Sequence, residues 1–300
     1  MNDILRVDSI SKLHELIGYE KPKHPLITII DLTNIPPNKT PESQAVIHGF
    51  YTIILKNAEE CNVKYGRKHY DFSEGSLMFM APEQMFIADG EPTSPLIEGW
   101  MLCFHPDLIR ASKLYEQMAD YTFFSYEVNE ALHLSEKEKE IITQIVKTIE
   151  NEYSMNLDVY SLDLIISNLE LLLNYSQRFY GRQFITRTHV NKAVVSRFED
   201  VLKECFEPEF IENNGIPTVK YVAERLGYSA NYLSDLIKKE TGKNTQEHIH
   251  LYLIEKAKTM LLTTSDPIKE IAYTLGFEYP AHFSKFFKNK TGMSPKTFRN

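Results

Sequence analysis

The chain has 300 residues, 43% of them hydrophobic, with 33 Lys and Arg against 41 Asp and Glu for a net charge of −8. That length suits two domains, each with apolar content enough for a full core. Three scattered cysteines (Cys61, Cys103, Cys205) exclude a cysteine metal or redox motif, and the chain shows no secretory signal or apolar run of about 18 residues, so a cytoplasmic, non-membrane protein is expected.

The charge is unevenly spread. From Thr218 onward there are 13 Lys and Arg against 8 Asp and Glu, so the remainder carries 20 basic and 33 acidic residues. A basic end on an acidic body fits a protein that approaches phosphates with one end only. Chance clustering of a solvated surface is the plainer alternative.

Residues 1 to about 25 are mixed polar and read as an arm or capping segment. From Leu26 to His105 the texture becomes short apolar or alternating runs (LITIIDL, IHGFYTIILK, CNVKYG, KHYDF, SLMFMAP, IEGWMLCFH) separated by turn signals such as IPPNKTPES and ADGEPTSP. Strands at this spacing predict an antiparallel sandwich or barrel. FSEGSLMFMAP resembles the cupin pattern, in which a Gly turn leads into a strand that ends in Pro, and a cupin-like β-barrel is therefore expected.

Metal-dependent cupins place two histidines one residue apart on a strand, followed by a carboxylate and a distant His. The candidates here are His48, His69, Asp71, Glu74 and His105. His69-Tyr70-Asp71 lacks the second imidazole and Glu74 falls in the turn before Gly75, so the histidines read as structural or surface groups. With no Ser/His/Asp motif and no phosphate-cradling Gly loop, neither an enzyme nor a cofactor is expected. The many aromatics of this stretch, Phe50, Tyr51, Tyr65, Tyr70, Phe72, Phe79, Phe86, Trp100 and Phe104, suit either a packed core or an apolar ligand pocket.

After Pro106 the pattern turns helical. Asp107 to Asp120 reads as one helix, followed by an aromatic connector, YTFFSYEVN. Ser135 and Glu138 form a capping-box signature ahead of Ile141, Ile142, Ile145 and Ile149. Leu157 to Tyr180 is apolar on more than one face. Its near-heptad seam of Leu162, Ile166, Leu169, Leu173 and Ser176 could be buried within the domain or form a homodimer contact. Residues 1–180 are thus expected as one domain with trailing helices, and 181–188 (GRQFITRT) as a linker. The second domain, 189–300, starts with a helix from His189 to Phe206 and a loop from Glu207 to Pro217.

The last third of the chain repeats itself. VAERLGYSANYLSDLIKKETG (Val222 to Gly242) is followed by IAYTLGFEYPAHFSKFFKNKTG (Ile271 to Gly292), with one residue inserted after the Gly-aromatic pair. In each copy, apolar residues at i, i+3, i+4 and i+7 form one helix face, and Gly227 or Gly276 stops the helix. A second helix follows with an outward stripe: Asn231, Ser234, Asp235 and Lys238, or Ala281, Ser284, Lys285 and Lys288. Each copy, 218–242 and 267–292, is a helix-turn-helix whose second helix is shaped to enter a major groove. Between them, residues 245–264 predict a connecting helix of roughly 30 Å, close to the ~34 Å between successive major-groove faces.

The second copy and its exit carry a resemblance to the AraC/XylS family of bacterial transcription regulators. Ile271, Ala272, Gly276, Phe277, Phe283, Ser284, Lys285, Phe287, Lys288, Gly292, Ser294, Pro295, Phe298 and Arg299 all fit the family pattern. The resemblance implies an α+β protein with an all-α carboxyl-terminal domain that binds promoter double-stranded DNA. By the same resemblance, base-facing positions are Asn231, Ser234 and Asp235 in the first copy, and Pro280, Ala281, His282, Ser284 and Lys285 in the second. Asn can pair with adenine, Lys with guanine, and Asp can accept from cytosine. Lys238, Lys288 and Lys239 fall to phosphates, or to plain solvated charge. Asp235 stands where many relatives carry Arg, a departure from guanine reading by that copy. The resemblance further implies a homodimer, an activator's contact with RNA polymerase, and a small-molecule effector at the barrel. A ligand-independent regulator or repressor is the other reading, and a cupin-type metalloenzyme with an appended DNA module a third.

Overall fold

The computed structural model describes residues 4–36, 44–57, 75–88, 98–127, 130–155, 158–186 and 188–300. The chain divides into two compact units, Met1–Thr186 and Arg187–Asn300.

The N-terminal unit opens with β1 (Leu5–Val7) and α1 (Ile10–Ile17), then β2 (Ile27–Asp31), β3 (Gln44–His48), β4 (Tyr51–Asn57), β5 (Ser76–Met80), β6 (Met85–Ala88) and β7 (Glu98–Phe104). These strands, with β8 (Leu132–His133), form two sheets of order β1-β3-β6 and β2-β7-β4-β5-β8. In the first, β1 runs parallel to β3; every pair in the second is antiparallel.

The larger sheet is a middle layer. On one face Ile30, Met101 and Cys103 pack with Val7 and Val46 of the smaller sheet and with Ile10 and Leu13 of α1. On the other, Trp100 Nε1 donates to Thr143 Oγ1 (3.5 Å) and the backbone of Ile29 donates to Tyr153 Oη (2.9 Å). Both partners belong to α4 (Glu136–Ser154). A strand covered on both faces need not alternate, and all five residues of β5, Ser76–Met80, are buried. Close strand approach also fixes Gly99: a Cβ there would lie 2.0 Å from the Leu55 carbonyl oxygen.

The barrel expected from the strand texture is not closed among the described residues, which form two separate sheets packed face to face. The back of the larger sheet is given to helices instead. CNVKYG and KHYDF, expected as strands, lie outside the described residues, as do Tyr65, Tyr70 and Phe72.

Other expectations shift. The amino-terminal arm contributes β1 and the core helix α1, which Ser9 caps and left-handed Gly18 ends. The single helix expected over 107–120 is broken into α2 (Pro106–Ile109), α3 (Lys113–Gln117) and a short turn, because Ser112 stops the first piece and precedes the second, its hydroxyl donating to Ile109 O (2.7 Å). The capping box of α4 forms as read, Ser135 N donating to Glu138 Oε2 at 2.9 Å. Arg182 makes a fork to the same Glu138 carboxylate (3.0 and 2.8 Å) from α5 (Ser161–Thr186). That helix includes residues 181–186, read as linker in the sequence. Of the seam read along α5, Leu169, Leu173 and Ser176 are buried inside the unit, Ile166 is half-buried and only Leu162 is exposed. Burial within the unit consumes most of that seam.

The C-terminal unit is helical: α6 (Thr188–Cys205), α7 (Pro208–Asn214), α8 (Val219–Leu226), α9 (Ala230–Thr241), α10 (Thr245–Thr263), α11 (Ile268–Thr274), α12 (Pro280–Thr291) and α13 (Pro295–Arg299). Here α7 replaces the expected loop: Pro208 opens it, buried Ile211 anchors it, and its polar Asn213-Asn214-Gly215 exit gave the loop signal. Along α10, Ile249, Leu253, Ala257 and Leu261 are buried as the spacing predicts, and Asn244 and Glu247 form a second capping box.

Candidate nucleic-acid interface

Both copies close their first helix in the same way. Tyr228 N donates to Ala223 O (3.0 Å), and at the matching position Phe277 N donates to Ala272 O (2.9 Å). Gly227 (φ 80°) and Gly276 (φ 85°) supply the left-handed residue each turn needs. The second helices also end alike. Thr241 Oγ1 donates to Ile237 O and accepts from Lys243 N; Thr291 Oγ1 does the same with Phe287 O and Met293 N. Each second helix turns one face inward: Leu233, Leu236 and Ile237 on α9, Phe283 and Phe287 on α12 are buried. Phe286 is half-buried against His250 with ring centroids 5.1 Å apart.

The opposite faces carry the expected reading residues. On α9, Asn231, Lys238 and Lys239 are exposed, while Ser234 and Asp235 are half-buried. On α12, Ala281, His282, Lys285 and Lys288 are exposed, with Pro280 and Ser284 half-buried. Residues at i, i+3, i+4 and i+7 lie on one helical face, so each set makes a continuous stripe, polar along α9 and opening on apolar Ala281 along α12. The Ser284 hydroxyl is occupied by its own helix, donating to Pro280 O at 3.0 Å. It therefore offers a lone pair outward more readily than a proton.

The two helix entrances differ. Ser229 caps α9 by accepting from Tyr232 N, whereas α12 starts on Tyr279 and Pro280 with no side-chain cap. Tyr279 is 53% exposed and lies edge-on to His282, centroids 5.3 Å apart. It adds an aromatic plate beside the second stripe, a position that sequence reasoning passed over. The available signal was the residue inserted after the Gly-aromatic pair.

Support from behind is polar as well as apolar. Buried Asn191 of α6 donates to Glu240 Oε1 (2.8 Å) at the end of α9. His248 lies 2.7 Å from Thr241 Oγ1 and edge-on to Phe198 of α6. Burial, with Lys243 adding to it, pushes the His248 pKa down. Arg299 Nε donates to Leu261 O (3.3 Å), tying α13 to the last turn of α10. The rise of α10 over its 19 residues is about 28 Å.

Of the metal candidates in the N-terminal unit, His48 and His105 lie among the described residues. His69, Asp71 and Glu74 lie outside the described residues. His48 is buried with Nδ1 3.3 Å from Thr52 Oγ1, and His105 Nδ1 accepts from Asp107 N as the cap of α2. Among the described residues no group of three His, Cys, Asp or Glu is placed to hold a metal ion, and no helix is long and apolar enough to cross a membrane.

A family profile described as a helix-turn-helix domain matches residues 222–300. Over 83 residues the chain is 36% identical to an uncharacterized HTH-type transcriptional regulator of Bacillus subtilis, YobQ, a match covering 28% of this chain and 34% of that protein. Residues 222–300 form a helix-turn-helix domain of the AraC type. A longer match, 24% identical over 257 residues, joins the chain to another B. subtilis HTH-type regulator, YfiF, and covers 84% of this chain and 77% of that one. Among solved structures, an AraC-type regulator of Chromobacterium violaceum is 25% identical, the match covering 30% of this chain and 83% of that chain with a TM-score of 0.27. The chain spans about a third of the length of YobQ. Both B. subtilis relatives are named as transcriptional regulators.

Proposed function

We propose that the chain is a sequence-specific transcription regulator whose AraC-type domain sets α9 and α12 into successive major-groove segments of one promoter duplex. The observation that supports this most is the pairing of two outward stripes on duplicated scaffolds whose helices end alike. Asn231, Ser234 and Asp235 face bases from α9, and Pro280, Ala281, His282, Ser284 and Lys285 from α12. Lys238, Lys239 and Lys288 hold phosphates. The inward faces of both helices are buried, which leaves the outward stripes to make contact. The test is selection of duplexes from a randomised pool by the purified full chain. Enrichment of one motif with two conserved halves is expected, and a pool that stays random contradicts the reading.

The N-terminal unit, residues 1–180 in the sequence reading, serves in this account as a cupin-like sensor and dimerisation module. A homodimer pairs two reading heads, RNA polymerase is recruited as by an activator, and the protein works in the cytoplasm. A small-molecule effector enters this reading from the family resemblance; Thr28, Cys103 and Thr52 form a buried cross-strand row flanked by His14 (Nε2 2.9 Å from Thr28 Oγ1) and His48. The ligand-independent reading is favoured by a different place in the same unit. There the cavity lined by Phe79, Phe123, Tyr126 and Tyr180 is only about 10 Å³, room for about one water. A metabolite thermal-shift screen separates the two, since a ligand that binds the native state raises Tm.

A further inference from the structure

The connecting helix does not by itself fix the angle between the two reading helices. After α10 ends at Thr263, residues 264–267 are not helical before α11 begins at Ile268. A second tie runs across this gap. A Cβ placed on Gly276 would lie 3.0 Å from Ile216 N, 3.1 Å from Gly215 C and 3.2 Å from Ile211 Cγ2. The turn of the second copy therefore rests on the backbone that leads into the first copy, with no side chain between them. Gly215 is itself at φ +69°, and a Cβ there would meet Gly276 O at 3.8 Å. The same short helix also holds the first copy: Phe210 packs on Tyr221 of α8, centroids 5.1 Å apart. Ile211, the buried residue of α7, sits at the centre of this contact.

We infer that α7 and the Gly215–Ile216 backbone act as a strut that fixes the spacing of the two reading helices, with Ile211 and Gly276 its positioning residues. The inference rests on the reading above, that α9 and α12 both enter DNA. Rigid close-packed contacts have few alternative arrangements, whereas the second copy is otherwise held to α10 by the Phe286–His250 ring contact, by Arg299 Nε on Leu261 O and by a four-residue non-helical connection. With the strut in place the head accepts one distance between its two subsites; without it, α12 can follow a displaced subsite.

The experiment uses the full chain and the duplex that the wild type enriches from a randomised pool, together with copies carrying one base pair inserted or deleted between the two halves. Wild type is expected to lose about tenfold or more in affinity on either change, the scale of a mismatched site. Ile211→Ala is expected to flatten that preference to about threefold, while Ile211→Val retains most of it. Gly276→Ala should alter the preferred spacing. Gly227→Ala, which places the same backbone strain in the other copy's turn, should leave the preference unchanged. Should Ile211→Ala prove unfolded at the working temperature, Gly276→Ala against Gly227→Ala carries the comparison. A wild type indifferent to spacing overturns the strut. So does a uniform loss of affinity in Ile211→Ala and Gly276→Ala with the spacing profile intact, which would make both residues simple packing. Failure to enrich any duplex would instead sink the DNA-reading account, and the strut with it.

Discussion

Lys285 is exposed on the face of α12, one turn before the equally exposed Lys288, and the proposed function gives the first to a base and the second to a phosphate. A lysine that donates to guanine contributes discrimination; one that touches phosphate contributes affinity alone. Lys285→Ala is therefore expected to lower preference for the enriched motif by about 1–3 kcal/mol in its second half, read by competition between matched and substituted duplexes. Lys288→Ala should weaken all duplexes alike. His48 gives a prediction of a different kind. Burial pulls its pKa from 6.5 to about 4, so the folded protein holds it neutral. Between those values the unfolded chain binds the extra proton and the folded chain does not. The stability His48 contributes is present above pH 6.5 and is lost as the pH falls toward 4. Denaturant titrations across that window should show a steeper acid loss in wild type than in His48→Gln.

At the level of elements, α5 buries a broad face and leaves a narrower one exposed. Leu169 is fully buried, whereas Leu164 and Leu171, seven residues apart, are 48% and 44% exposed. Leu169→Ala should destabilise the N-terminal unit by about 2–5 kcal/mol, the range for a buried leucine. Leu171→Ala should leave Tm nearly unchanged. If the dimer uses the outer face of this helix, a Leu164→Glu, Leu171→Glu pair would dissociate it in sedimentation without unfolding it; an intact dimer would move the interface elsewhere. The sequence distinguished these faces only partly. Its seam mixed Leu162, which is exposed, with Leu169 and Leu173, which are not, because a helix packed on both a sheet and a neighbouring helix buries more than one stripe. The duplicated motif was far more legible. Its turns depend on single glycines and its cores on i, i+3, i+4 spacing, both local signals that survive without tertiary information. The helix at 208–214 and the two-sheet arrangement depend instead on distant partners such as Gly276 and α4, which no local pattern announces.

Taken whole, the molecule separates its charge as it separates its tasks. The last 83 residues carry the net positive charge and the rest of the chain the negative. An acidic body discourages non-specific docking on DNA, and the basic head localises it. Binding should weaken steeply with salt, and each phosphate-contacting lysine removed should reduce the slope of log K against log salt by about 1. All of this depends on both α9 and α12 entering the same duplex. Hydroxyl-radical footprinting of the full chain on its enriched duplex tests that directly, with Asn231→Ala and Lys285→Ala alongside. Protected patches about one helical turn apart on one face of the duplex are expected, with each variant weakening a different patch. A single patch per head, or both variants weakening the same one, would contradict it.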